Sequence, residues 1–217
     1  MGLFTFFKSK QQKLTLPQRS IDDIKGLTKI LFIDDVKFDV VDNLIKSGWI
    51  HTKRIKDVDT LNQPEVKDSH IYFVDIEGVG KKLGFTDEGL GLSRALKETY
   101  PSKAVILYSA QREGDRFDKT LSIVDSTIRK NADSYEFIKL AEKFSKQAFS
   151  YDQIFIRIQK IIKEETGQAF ELSEIELKII SASKKDGLNL KKLSESFEVS
   201  TKVAEFIGTV IKVFLES

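Results

Sequence analysis

Apolar residues along this chain fall into two rhythms. Short unbroken runs stand at Lys29-Ile-Leu-Phe-Ile33, Ile71-Tyr-Phe-Val74 and Ala104-Val-Ile-Leu-Tyr108. Runs of this length without polar alternation predict strands buried on both faces. Helical spacing lies between them. Val40, Val41, Leu44 and Ile45 are stopped by Gly48, a helix from about Glu88 to Tyr100 is closed by Pro101, and Phe117, Leu121 and Val124 mark another. Residues 51–57 and 126–129 read as weaker strands, 61–66 as a short, poorly formed helix, and Ser134 opens a long one. Strands alternating with helices predict an α/β domain over residues 29–149, with a five-stranded parallel doubly wound sheet covered on both faces.

After residue 149 the pattern is helical only, predicting an all-α region over 150–217. Phe137, Ala141, Phe144, Ala148, Tyr151, Phe155, Ile158 and Ile162 recur at alternating steps of four and three, a heptad seam. Two readings stay open. A final domain helix is followed after Ser150 or Asp152 by a separate amphipathic helix, or one continuous helix forms a homodimer through 137–162. Leu172–Leu177, Leu190–Phe197, a Val199-Ser200 turn and Thr201–Leu215 then predict helix, helix, turn, helix.

Composition narrows the chemistry. The 217 residues carry 35 Lys and Arg against 33 Asp and Glu, which argues against a surface built wholly to neutralise a phosphate backbone. With 41% hydrophobic residues there is enough apolar content for a core. Cys is absent and only His51 and His70 offer imidazole, so thiolate and His-rich metal sites are excluded. No apolar run approaches the roughly 18 residues of a membrane span. Residues 1–28 form a basic, partly apolar leader. Its opening stretch is too short for a signal peptide, and a cytoplasmic protein is the expectation.

In a parallel sheet, groups at the carboxyl ends of strands converge on one rim. Here those ends carry Asp34 and Asp35, Asp75, Ser109 and Lys130. Three carboxylates in one crevice repel unless a cation lies among them, and all-oxygen ligands favour Mg²⁺ over zinc. One carboxylate can then act as nucleophile toward phosphorus, with a lysine and a hydroxyl neutralising phosphoryl oxygens.

Asp34-Asp35 after the first run, Asp75 after the next, Ser109-Ala110 and Lys130 in that order resemble the receiver domain of two-component response regulators, whose fold is flavodoxin-like. The likeness covers roughly residues 28–145. It implies that Asp75 is the phosphoacceptor and Asp35 the direct Mg²⁺ ligand, with Asp34 holding metal directly or through water. It also implies that the backbone carbonyl of Glu77 completes the shell, Ser109 bonds a phosphoryl oxygen and Lys130 pairs with it. The protein would then accept a phosphoryl group without being an enzyme, beyond any self-dephosphorylation, and its partner would be a histidine kinase or phosphotransfer protein.

The sequence departs from this pattern in places. Asn131 stands where a proline usually follows the lysine, and Thr127 where an aromatic switch residue is usual; Tyr108 faces the wrong way to replace it. A pseudo-receiver that binds without being phosphorylated is therefore a further alternative. The stretch after Asp75 has Gly78, Gly80, Gly84, Gly89 and Gly91; it lacks a P-loop hydroxyl and dinucleotide spacing, so a mobile lid through which the switch signals is expected. The C-terminal helices are similar to helix-turn-helix output domains, which makes a DNA-binding regulator the alternative. However, residues 151–217 hold ten Lys and Arg against eleven Asp and Glu, so a module for contact with an unidentified protein partner is favoured over nucleic acid.

Overall fold

The computed structural model describes residues 20–110, 122–184 and 187–215. The chain divides into two compact units, residues 19–153 and a second built on 154–217.

The first unit runs α1 (Ile21–Leu27), β1 (Ile30–Ile33), α2 (Val40–Lys46), β2 (Thr52–Ile55), α3 (Pro64–Asp68), β3 (Ile71–Asp75), α4 (Gly89–Thr99), β4 (Ala104–Ser109), β5 (Ser126–Arg129) and α5 (Ser134–Ala148). All strand pairings are parallel, in the order β2-β1-β3-β4-β5. This is the doubly wound sheet expected from the apolar runs. Every residue of β1, β3 and β4 is buried, because helices cover both faces of these central strands. The edge strands β2 and β5 are only partly buried, which is why their runs are weaker. The short helix expected at 61–66 forms three residues later, where Pro64 opens its first turn. Of the helix expected around Phe117, Phe117 and Leu121 lie outside the described residues, and Val124 sits in a bend.

Side-chain alternation splits the core into two layers. One holds Ile30, Phe32, Ile71, Phe73, Ile106 and Tyr108 with Phe137, Ala141 and Phe144 of α5. The other holds Leu31, Ile33, Tyr72, Val74, Val105 and Leu107 with Leu92 and Leu96 of α4. Phe32 and Phe73 stack at 4.6 Å and 7° in the first layer.

The heptad seam does not run through one helix. α5 ends at Ala148, where the Phe149 amide donates back to Ser145, and α6 (Tyr151–Thr166) begins afresh. The Ser150 hydroxyl accepts the Gln153 amide at 3.5 Å. Because Phe137, Ala141 and Phe144 pack on the sheet, this part of the proposed 137–162 dimer seam is spent inside the unit.

The second unit continues with α7 (Leu172–Ala182), β6 (Ser183–Lys184), β7 (Gly187–Leu188), α8 (Leu190–Phe197) and α9 (Thr201–Leu215). The two-residue antiparallel pair β6–β7 is an addition to the helix-only expectation. Ile175, Ile179, Leu193, Phe197, Ala204, Ile207 and Ile211 are buried. Asn189 caps α8, and Glu198, at φ 56° and ψ 34°, turns the chain into α9. No helix among the described residues is long and apolar enough to cross a membrane.

Truncating Phe32 in the stacked layer removes a fully buried ring. Phe32→Ala is expected to destabilise the first unit by about 3–5 kcal/mol. The check is the urea midpoint of the full chain; an unchanged midpoint contradicts this packing.

Candidate functional site

The carboxyl ends of β1, β3 and β5 deliver the expected groups to one rim. Carboxylate oxygens of Asp34, Asp35 and Asp75 all lie within 4.8 Å of one another. Asp34 is fully buried, Asp75 is 4% exposed and Asp35 faces solvent. The Lys130 ammonium donates to Asp75 Oδ2 and stands 3.1 Å from Asp34 Oδ2. The Lys130 backbone N–H donates to the Ser109 carbonyl at 2.8 Å, extending the β4–β5 pairing one residue past Arg129. Ser109 is buried at the end of β4, one residue past Tyr108, the register partner of Asp75. Glu77 follows β3 with its side chain exposed.

The loop after β1 is held in place from several sides. Val36 N–H donates to Asp34 Oδ1 at 2.9 Å, and the Arg54 guanidinium donates to the carbonyls of Asp34 (2.5 Å) and Val36 (3.2 Å). The Asp35 carboxyl group then lies against Gly78. A Cβ there would fall 2.5 Å from it, and the backbone has φ 82°, so glycine leaves the space this carboxylate fills. Gly89 is equally constrained, since a Cβ on it would overlap the Asp75 carbonyl oxygen.

The glycine-rich stretch, expected from its composition to be a mobile lid, is crossed by several hydrogen bonds to the chain's own carboxylates. The Asp57 carboxylate accepts N–H groups from Val58 (2.8 Å), Gly80 (2.5 Å) and Lys82 (3.1 Å). Gly78 N–H donates to the Glu88 carboxylate at 2.5 Å, and Phe85 N–H to the Gly80 carbonyl at 3.1 Å. Amides that could cradle an anion are thus already occupied by the chain's own carboxylates.

Sequence reasoning missed Tyr108 as a site residue. Its ring lies in the buried layer of Phe32 and Phe73, yet its hydroxyl donates to Asp34 Oδ2 at 2.8 Å. Phe38 stacks on that ring at 5.3 Å and 11°. The signal was alternation: Tyr108 must share a face with Asp75, its register partner, rather than with Ser109. Thr127 is half-buried in β5 opposite Leu107. Asn131 follows Lys130 across a trans peptide bond.

Burial pushes the Asp75 carboxyl up; Lys130 pulls it back down and the Asp34 charge adds to the rise. Burial lowers the Lys130 amine, but its bonds to Asp75 and Asp34 outweigh this and leave it raised. Burial, then the Asp34 charge and the bond to it, hold the Tyr108 phenol well above its ordinary value. At neutral pH the lysine is therefore charged and the phenol is a neutral donor. Three carboxyl groups face this one ammonium, which leaves the site acidic in balance. An all-oxygen donor set with that charge, one carboxylate seated in a glycine-shaped gap, fits a hard divalent cation such as Mg²⁺.

No family model matches the chain, and no curated protein matches it. Many solved structures of response regulator receiver domains are similar to about half of it. A response regulator from Thermotoga maritima is 21% identical, over 54% of this chain and 97% of its own, with a TM-score of 0.41. The receiver domain of NtrX from Brucella abortus is 20% identical, over 54% and 98%, with a TM-score of 0.44. RcsB from Salmonella enterica serovar Typhimurium, solved bound to the rprA promoter with a phosphomimetic, is 19% identical over 55% and 98%, with a TM-score of 0.44.

A carboxyl that is harder to ionise folded than unfolded contributes stability that is complete below the unfolded carboxylate range and is lost as pH rises through its folded value. Ionising Asp75 is thus a cost to the metal-free fold. Asp75→Asn is expected to raise the thermal midpoint in chelator at neutral pH, and to shrink the further rise that Mg²⁺ gives the unmodified protein. A lower midpoint for Asp75→Asn in chelator contradicts this reading of the pocket.

Proposed function

We propose that this chain is the phosphoacceptor receiver protein of a two-component phosphorelay, with Asp75 taking the phosphoryl group in a Mg²⁺-dependent reaction. The observation that carries the reading is the convergence of Asp34, Asp35 and Asp75 with the Lys130 ammonium at one rim of the sheet. Asp35, Asp75 and the Glu77 carbonyl would hold the metal. Asp34, whose oxygens already take bonds from Val36, Tyr108 and Lys130, would serve it directly or through water. Bound there, Mg²⁺ offsets the negative charge of the entering phosphoryl group. An Asp75 oxygen forms the new bond to phosphorus as the donor's bond breaks and its leaving group departs. Lys130 is already on Asp75, placed to meet the phosphoryl oxygens, and Ser109 stands at the adjacent strand end.

Incubation of the full chain with a small phosphodonor and Mg²⁺ is expected to add the mass of one phosphoryl group. Asp75→Asn and chelator should each remove that addition. An unchanged mass for the unmodified protein favours the pseudo-receiver alternative and contradicts this reading.

For the second unit we infer a protein-contact module controlled by the first. Its α8–turn–α9 pair has the order of a helix-turn-helix, but the exposed residues along the start of α9 are Thr201, Lys202, Glu205, Phe206 and Thr209. That face offers one cation, one anion and an aromatic ring that is 52% exposed, a poor surface for phosphates and a better one for protein. The partner upstream would be a histidine kinase or phosphotransfer protein, which donates to Asp75. Binding to random duplex DNA is expected to be absent at moderate salt. Tight binding that weakens steeply with added salt would overturn the protein-contact reading in favour of a DNA-binding regulator.

A further inference from the structure

Phosphoryl transfer to Asp75, as proposed above, needs the Lys130 ammonium at a defined place, yet Lys130 is a long, rotamer-rich side chain leaving the end of an edge strand. Its side chain is 26% exposed. What fixes it comes from β4 and from the loop after β1. The ammonium nitrogen lies 5.6 Å from the Tyr108 ring centroid and 5.9 Å from that of Phe38, the two rings being stacked on each other. Tyr108 is itself locked edge-on against Phe32 (6.0 Å, 63°) and Phe137 (6.1 Å, 82°). Its hydroxyl donates to the same oxygen, Asp34 Oδ2, that faces the ammonium.

A fully buried phenol in the middle of a parallel sheet needs a reason. Apart from Trp49, the rest of its layer is aliphatic and phenylalanine side chains, and Phe or Leu would fill the space without burying a hydroxyl that must find a partner. The partner it finds is the carboxylate that holds the lysine. With Val36 N–H on Oδ1 and the phenol on Oδ2, Asp34 has its rotation fixed from both sides. Its oriented oxygen then draws the ammonium toward Asp75.

We propose that Tyr108 is a positioning residue of this site: its hydroxyl fixes Asp34, its ring and that of Phe38 seat the Lys130 ammonium, and together they hold that ammonium against Asp75. It touches neither metal nor phosphoryl group and acts through Asp34 and Lys130. The inference rests on the phosphoacceptor reading only for its kinetic consequence. Its structural content concerns the metal-free protein.

Two readouts on the full chain test it. The first is the side-chain ammonium resonance of Lys130 in nitrogen-15 NMR of the metal-free protein, assigned by its loss in Lys130→Arg. A clamped ammonium exchanges slowly and is visible. In Tyr108→Phe, which keeps the ring and its packing, the resonance is expected to broaden away. The second is the phosphorylation rate. Tyr108→Phe is expected to lower the maximal rate at saturating Mg²⁺ by about tenfold, as loss of orientation does, while the Mg²⁺ concentration for half-maximal rate changes little. Phe38→Leu, which keeps the hydroxyl and removes the stack, should broaden the resonance as well. The proposal is overturned by an ammonium signal absent from the unmodified protein or intact in Tyr108→Phe. A Tyr108→Phe variant that loses only thermal stability at an unchanged rate overturns it too. Should the unmodified protein accept no phosphoryl group, the phosphoacceptor reading fails, and the ammonium resonance still decides the role of Tyr108.

Discussion

Repulsion among three carboxylates packed at one end of a sheet is the constraint that organises this protein. Asp34 and Asp75 are buried and Asp35 is held beside them. Water cannot screen buried charges well, so their mutual cost is met by fixed counter-groups. Lys130 supplies a full positive charge to two of them. Tyr108 and the Val36 amide add directed dipoles to Asp34. Three carboxyl groups still face a single ammonium, a donor set that fits a divalent cation.

The scaffold makes that strained arrangement affordable by being stiff around it. β1, β3 and β4 have no exposed residue, and their two core layers anchor the strands from which the acids emerge. Loops that could relax the repulsion are tied down instead. Arg54 grips the carbonyls beside Asp34, Asp57 gathers the amides of the glycine-rich stretch, and Gly78 and Gly89 admit close approach where any side chain would force the acids apart. A change of charge at Asp75 is expected to be felt through packed groups that have little freedom to dissipate it.

Much of this was legible before any coordinates. Unbroken apolar runs announce strands covered on both faces, and polar residues at their ends must then share one rim; Asp34, Asp75 and Lys130 followed from that. The illegible parts depend on which neighbour a residue meets across the fold. Alternation separates Tyr108 from Ser109, but only the registers of β4 on β3 and of β3 on β1 bring its hydroxyl to Asp34, 74 positions away. Asp57 lies 23 residues before Gly80, and nothing local pairs them. The heptad spacing correctly marks an apolar stripe without saying what covers it. For Phe137, Ala141 and Phe144 the sheet does, and the stripe breaks at Phe149 and Ser150. β6 and β7, two residues each, are too short for any periodicity to reveal them.

The central claim is that one cation pocket exists and that it is bounded by these strand ends. Titrating Mn²⁺, as a paramagnetic substitute for Mg²⁺, into the metal-free full chain while following backbone amide resonances tests it most directly. The amides of residues 34–36, 75–78, 109 and 130 should broaden first, with competing Mg²⁺ restoring them. Broadening that begins elsewhere, or spreads evenly over the acidic surface, would contradict the claim.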